Sequence, residues 1–146
     1  MSFEIRDTEW EARCRDAFAA QGMMRTLGVQ IVEVAPGRVT LRAPIRAETA
    51  QHHGYAHAAL AFAMGDTAQG FAAGSLMAPG MGVLTVEMKI NLIAPAKGLF
   101  LLAEGRVERP GRRLTATSAE IFAEGADGAR RRTAILLGTM TGVEDG

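Results

Sequence analysis

The sequence has one cysteine, Cys14, one tryptophan and one tyrosine, and aromatic residues make up only 5% of its 146 positions. A lone cysteine closes no internal disulfide and supplies no cysteine-based zinc site. An excess of one charge is also missing: 16 Lys and Arg stand against 16 Asp and Glu, a formal net charge of zero. Without a basic excess there is no electrostatic footprint for a polyanion, so no nucleic acid is expected as partner. The start Met1-Ser2-Phe3-Glu4-Ile5-Arg6-Asp7 lacks the basic-then-apolar order of a signal peptide, and the expected compartment is the cytoplasm. Ala56 to Ala78 is nearly continuous in apolar and small residues, but His57, Asp66 and Gln69 interrupt it. A carboxylate near mid-span costs about 2.5 to 3.5 kcal/mol on insertion scales. The segment therefore reads as a buried helix, with no membrane as partner.

What is present is an ordinary globular composition, 48% hydrophobic and 22% charged. A chain of this size buries roughly two thirds of its unfolded surface and can close a core unaided. One domain over 1–146 is expected, with an N-terminal helix over 1–24 and the core over 25–146. Thr8-Glu9-Trp10-Glu11 has the form of a capping box, and Trp10, Cys14, Ala17 and Phe18 follow at helical spacing. Leu27, Val29 and Ile31 alternate with smaller or polar residues, Pro36-Gly37 supplies a turn, and Val39, Leu41 and Ala43 alternate in turn, which predicts a hairpin. Pro79-Gly80 ends the long apolar helix. Val86, Met88, Ile90 and Leu92 then alternate with Glu87, Lys89 and Asn91, the pattern of a strand with one buried face. Leu99 to Glu108, Leu114 to Ala123 and Thr133 to Thr141 continue as strands, with a hairpin turn at Asp127-Gly128. This order predicts an α+β fold: consecutive hairpins form an antiparallel sheet that wraps around one long central helix. A free edge strand or open sheet face would serve self-association, so a dimer is expected.

From Thr49 through Val86 the only formally charged side chain is Asp66. A carboxylate in an apolar helix is costly unless it is hydrogen-bonded, paired or used. The alternative is a helix face turned to water, carrying Asp66 and Gln69. Just before this helix, Gln51-His52-His53-Gly54-Tyr55-Ala56-His57-Ala58-Ala59 gathers polar side chains at a helix N-terminus. There, unpaired backbone N–H groups and a partial positive charge suit a carbonyl oxygen that becomes an oxyanion. No metal site is expected from His52, His53 and His57, since no nearby carboxylate completes a set and adjacent ligands project apart.

Gln51, Gly54, His57-Ala58-Ala59, Asp66, Thr85-Val86-Glu87-Met88-Lys89-Ile90-Asn91 and Ala94-Pro95-Ala96 together resemble the hotdog-fold acyl-CoA thioesterases of the phenylacetate-degradation type. The resemblance runs from about Leu27 to Thr141. Three residues depart from the family pattern: Gln51 stands where Asn is usual, and Ala58 and Ala59 replace two glycines. The resemblance implies a hotdog fold and a thioester hydrolase acting on a coenzyme A thioester as substrate, with no cofactor. It implies Asp66 as general base or nucleophile, reaching across a dimer interface to the thioester at the partner's helix N-terminus. It further implies Gln51 on the water or carbonyl, the N–H of Ala58 beside His57 as oxyanion donor, and Thr85 as a hydroxyl that orients the water. Gly54 and Ala59 would border the bound thioester, and the assembly would be a homodimer or a tetramer of dimers. Arg106, Arg109, Arg112, Arg113, Arg130, Arg131 and Arg132 crowd the last third of the chain, and guanidinium groups suit coenzyme A phosphates. Gly111 beside Arg112 and Arg113 would let a phosphate approach that turn. Two other readings compete: a non-catalytic acyl-CoA binding or sensing protein, and a dehydratase on the same fold.

Overall fold

The first helix forms where its spacing predicts, but a different residue starts it. In the computed structural model, which describes residues 2–145, α1 spans Trp10–Ala20. Among the described residues Thr8 makes no capping bond. Instead the Asp7 carboxylate accepts the Glu9 N–H at 2.9 Å and is held by Arg13 Nε at 2.8 Å. An anchored carboxylate meets the free N–H groups of the first turn better than an exposed hydroxyl does. At Gln21 the backbone becomes extended, and a second helix, α2 (Gly22–Leu27), ends at Gly28 with φ +71°. Leu27 is therefore helical, and the first strand starts after it.

Strands β1 (Gln30–Ala35) and β2 (Arg38–Pro44) make the expected hairpin, with Gly37 at φ +73° in its turn. The long helix α3 covers Ala58–Gly74, and Gly80 at φ +77° turns the chain into β3 (Met81–Leu92). Then come β4 (Phe100–Arg109), β5 (Leu114–Glu124) and β6 (Arg130–Glu144). Their order in the antiparallel sheet is β1-β2-β4-β5-β6-β3. Hairpin pairing of every consecutive strand does not hold: β3 pairs with β6 at the far edge, and β4 lies beside β2. Residues 93–99 carry the chain across the sheet end, where Ile93 N–H bonds Thr133 O and Leu99 N–H bonds Glu124 O. Pro95 has no N–H to extend β3, so the strand stops and the crossing begins.

β3 also differs in its faces. A bulge lies between Thr85 and Glu87. Val83 and Thr85 approach α3 before it, whereas Met88 and Ile90 face inward after it. Val86, expected on the buried face, lies at the bulge and is exposed; Leu92, also expected there, is exposed at the end of the strand. A bulge adds one residue to one strand and so exchanges the two faces.

Helix α3 packs on the sheet through Leu60, Met64, Ala68 and Ala72, against Leu41, Leu101, Ile121 and Leu136. Its small residues allow a close approach. A Cβ at Gly105 of β4 would come within 2.5 Å of the Ala68 carbonyl carbon. Gly105→Ala should force the helix off the sheet and destabilise the fold by roughly 1 to 3 kcal/mol, the usual cost of overpacking. A urea titration reads this directly, and an unchanged midpoint would show that the contact yields freely. Gln69 is fully buried rather than part of a wet stripe with Asp66: it accepts from Thr117 Oγ1 at 2.8 Å and donates to Gly65 O at 3.2 Å. Among the described residues no helix is long and apolar enough to cross a membrane.

Candidate active site

Asp66 sits half-buried on α3, eight residues after the first helical position. The β3 bulge aims Thr85 at it, and Thr85 Oγ1 donates to Asp66 Oδ1 at 2.6 Å. That bond fixes one carboxylate oxygen and leaves the other with its lone pairs available. The pair lies at the edge of a cavity of about 360 Å³ between α1, α3 and β3, bordered also by Gly70, Phe71 and Leu84. Phe71 is held edge-on by Phe18 of α1, with ring centroids 5.8 Å apart. Of the other apolar residues in this helix, Met64 is wholly core and Phe62 is exposed.

The N-terminus of α3 forms a second region. His57 N–H bonds Thr49 O and Ala56 N–H bonds Ala96 O, both at 2.9 Å, which pins the start of the helix. His57 is the N-cap: its Nδ1 accepts the Ala59 N–H at 2.9 Å. A ring nitrogen that accepts carries no proton, so the histidine here orders the helix end. Ala59 N–H is thereby occupied. Among the described residues nothing bonds the exposed N–H of Ala58, which leaves one donor open at the positive end of the helix dipole. Both alanines are tolerated where glycine is usual, because no described residue other than glycine has positive φ.

Gln51 lies in the loop before the helix. Its Oε1 accepts from His53 N, and its own N–H bonds Tyr55 O at 2.8 Å. Gly54 closes the loop at φ +80°, in the left-handed region that glycine favours, with open space where a side chain would be. The Gln51 amide NH2 group remains to donate. Gln51, His57 and Ala58 border a groove of about 680 Å³ with Leu92, Ala94 and Thr133.

The structure thus brings together two groups, Asp66 with Thr85, and Gln51 with His57, Ala58 and Gly54. It does not bring these groups to each other within one chain. Asp66 follows Ala58 by eight helical steps, about 12 Å along the axis. A carbonyl bound at Ala58 N–H is out of reach of the Asp66 carboxylate of the same chain.

The arginines divide. Arg106 and Arg132 pair with Glu120, and Arg130 and Arg42 with Glu124, so these guanidiniums serve the sheet. Arg42, with Arg130, holds the Glu124 carboxyl below its ordinary range. Stability from that pairing is present at neutral pH and lost as the pH falls through the lowered value. Arg112 and Arg113 have no carboxylate partner among the described residues and occupy the β4–β5 turn. That turn joins the strand ends near Arg106 and Leu114, whereas the α3 N-terminus lies by Ala96 and Thr133 at the opposite end. Ten-residue strands place the two ends roughly 30 Å apart, so Arg112 and Arg113 do not adjoin Gly54 and Ala59 of their own chain.

Sequence reasoning missed Gly70 and the α1 residues that border the cavity. Only the shared face of Asp66 and Gly70, four residues apart, signalled them.

No curated protein matches the chain. A solved thioesterase family protein from Silicibacter pomeroyi is 38% identical over 93% of this chain and 99% of its own, with a TM-score of 0.90. The PaaI protein of the Escherichia coli phenylacetic acid degradation operon is 17% identical over 98% of this chain and 97% of its own, TM-score 0.81. Thioesterase HI1161 of Haemophilus influenzae is 14% identical over 99% and 93%, TM-score 0.78. These last two share the fold. The sequence pattern of the thioesterase superfamily matches residues 53–129, from the loop before α3 to the turn before β6. With that match and the Silicibacter relative, the chain belongs to the thioesterase superfamily and carries its hotdog fold.

Proposed function

We propose that this protein hydrolyses an acyl-CoA thioester to a free acid and coenzyme A, and that it does so as a homodimer whose sites each use two chains. The observation that carries the reading is the Thr85–Asp66 pair at a cavity edge, about 12 Å from the unpaired N–H of Ala58. A base and an oxyanion donor that one chain keeps apart become one site when a second chain supplies the base. The β3 edge suits that assembly: it is long, unpaired on its outer side, and exposes Leu84, Val86 and Leu92.

In this reading the thioester carbonyl oxygen accepts from Ala58 N–H and from the Gln51 amide. Water, held by Asp66 and Thr85 of the partner subunit, attacks the carbonyl carbon as the free carboxylate oxygen takes its proton. The tetrahedral oxyanion is stabilised by the open helix end. It collapses with cleavage of the C–S bond, and the proton returns to the leaving thiolate. Any phosphate contact by Arg112 and Arg113 is made to a substrate seated on another copy of the chain.

A panel of acyl-CoAs with a thiol-detecting reagent tests the function. Thiol release well above the uncatalysed rate is expected for at least one member. Binding of acyl-CoA without release would favour the sensing protein, and hydration or dehydration of the acyl chain without release would favour the dehydratase.

Gln51 gives a narrower test. Gln51→Ala is expected to lower kcat by up to about 10²-fold, the scale of a misplaced reacting group, with a smaller change in KM. Gln51→Asn, which keeps the amide, should retain most of the rate. Equal kcat for wild type and Gln51→Ala would remove this side chain from the site.

A further inference from the structure

Asp66, Gly70 and Gly74 follow one another at four-residue intervals on α3 and therefore share one face of the helix. That face borders the 360 Å³ cavity along its length. Val83 and Thr85 of β3 form the facing wall, and Cys14 and Ala17 of α1 close the third side. Burial pushes the Cys14 thiol up, so it is a neutral part of that wall. A Cβ at Gly70 would meet no atom within 4 Å, whereas one at Gly74 would touch Val83 at 3.7 Å. The space is thus open beside Gly70 and narrows at Gly74. Beyond Gly74 it is closed by Arg13, whose guanidinium donates to Met81 O at 3.0 Å and Met77 O at 3.1 Å and whose Nε donates to Asp7 at 2.8 Å. Those bonds commit the cation, so the far end is a stopper rather than an anion site.

We infer that this cavity is the acyl compartment and that Gly70 sets how long an acyl chain enters it; the inference rests on the proposed thioester hydrolysis. From Asp66 to Gly74 the helix rises about 12 Å, and to Gly70 about 6 Å. An extended chain advances about 1.25 Å per carbon, from C–C bonds of about 1.52 Å at about 111°. The compartment therefore takes a medium-length, apolar acyl group of about nine carbons, and passage beyond about the fifth carbon depends on the missing side chain at position 70.

The test is kcat/KM for straight-chain acyl-CoAs from acetyl to palmitoyl, in wild type, Gly70→Ala and Gly70→Leu. Leucine is a better helix former than glycine, and its side chain would enter the open space. Wild type should favour octanoyl- and decanoyl-CoA over palmitoyl-CoA by at least about tenfold. Gly70→Leu should lose at least about tenfold more on octanoyl- and decanoyl-CoA than on butyryl-CoA, with circular dichroism reporting the intact fold. Gly70→Ala should shift the optimum in the same direction by one or two carbons. A length profile unaltered in both variants, or palmitoyl-CoA as the best wild-type substrate, overturns the compartment. If Gly70→Leu is inactive on every length, the Gly70→Ala profile decides. A wild type that hydrolyses no member of the panel overturns the thioesterase reading itself, a different failure.

Discussion

Asp66→Asn is expected to lower thioester hydrolysis by about 10²- to 10⁴-fold, the usual contribution of a general base. Asparagine retains an oxygen that accepts from Thr85 Oγ1 and a side chain of nearly the same shape, so the cavity edge keeps its geometry. What is lost is the second oxygen, the one that Thr85 leaves open. The fold gains little from this carboxylate, which has no cationic partner among the described residues. Steady-state thiol release and thermal unfolding of the same preparation separate the two effects. Wild-type turnover in Asp66→Asn would take the carboxylate out of the chemistry.

The second large effect is expected at a main-chain atom. Ala58→Pro deletes the N–H that would stabilise the oxyanion, and removal of one such donor costs about 10²- to 10³-fold in kcat. Proline is well accommodated at the first helical position, where φ is already suitable and no intrahelical bond is lost. The preceding residue, His57, has φ −64° and ψ 141°, the extended conformation that proline requires before it. Its cap on Ala59 N–H is untouched. The variant should therefore fold and dimerise like wild type while turning over slowly. Unchanged kcat in a folded Ala58→Pro would assign the oxyanion to another donor.

These two positions also mark what was legible in the sequence. Asp66 stood out because nothing else between Thr49 and Val86 is charged, and the polar loop before α3 announced a helix end. The strand and helix segments were readable from local alternation, which depends on each residue's own neighbours. Long-range pairing was not. That β3 would cross to the outer edge beside β6 follows from contacts between segments far apart in the chain, and hairpin logic gives the wrong neighbour. The bulge after Thr85 is equally hidden: the even positions 86 to 92 read as one buried face, yet the extra residue turns Val86 outward and aims Thr85 at Asp66. His57 was legible only as one of the polar residues of that loop; that its ring caps the helix depends on a bond to Ala59 N–H that the residue type alone does not announce. The arginines drew attention as a group, but pairing with Glu120 and Glu124 accounts for Arg106, Arg130 and Arg132. The cavity floor escaped notice because Gly70 and Gly74 contribute by lacking side chains.

Mixing the two inactive chains tests the shared site most directly. Asp66→Asn subunits keep an intact helix N-terminus, and Ala58→Pro subunits keep an intact base. After subunit exchange, confirmed by mass spectrometry of differently tagged chains, each mixed dimer holds one site with both defects and one with neither. With equal amounts and random pairing, half the dimers are mixed, and activity should return to about one quarter of the wild-type level. Exchange without any recovery, or a chain that is fully active as a monomer, would contradict a site built from two chains.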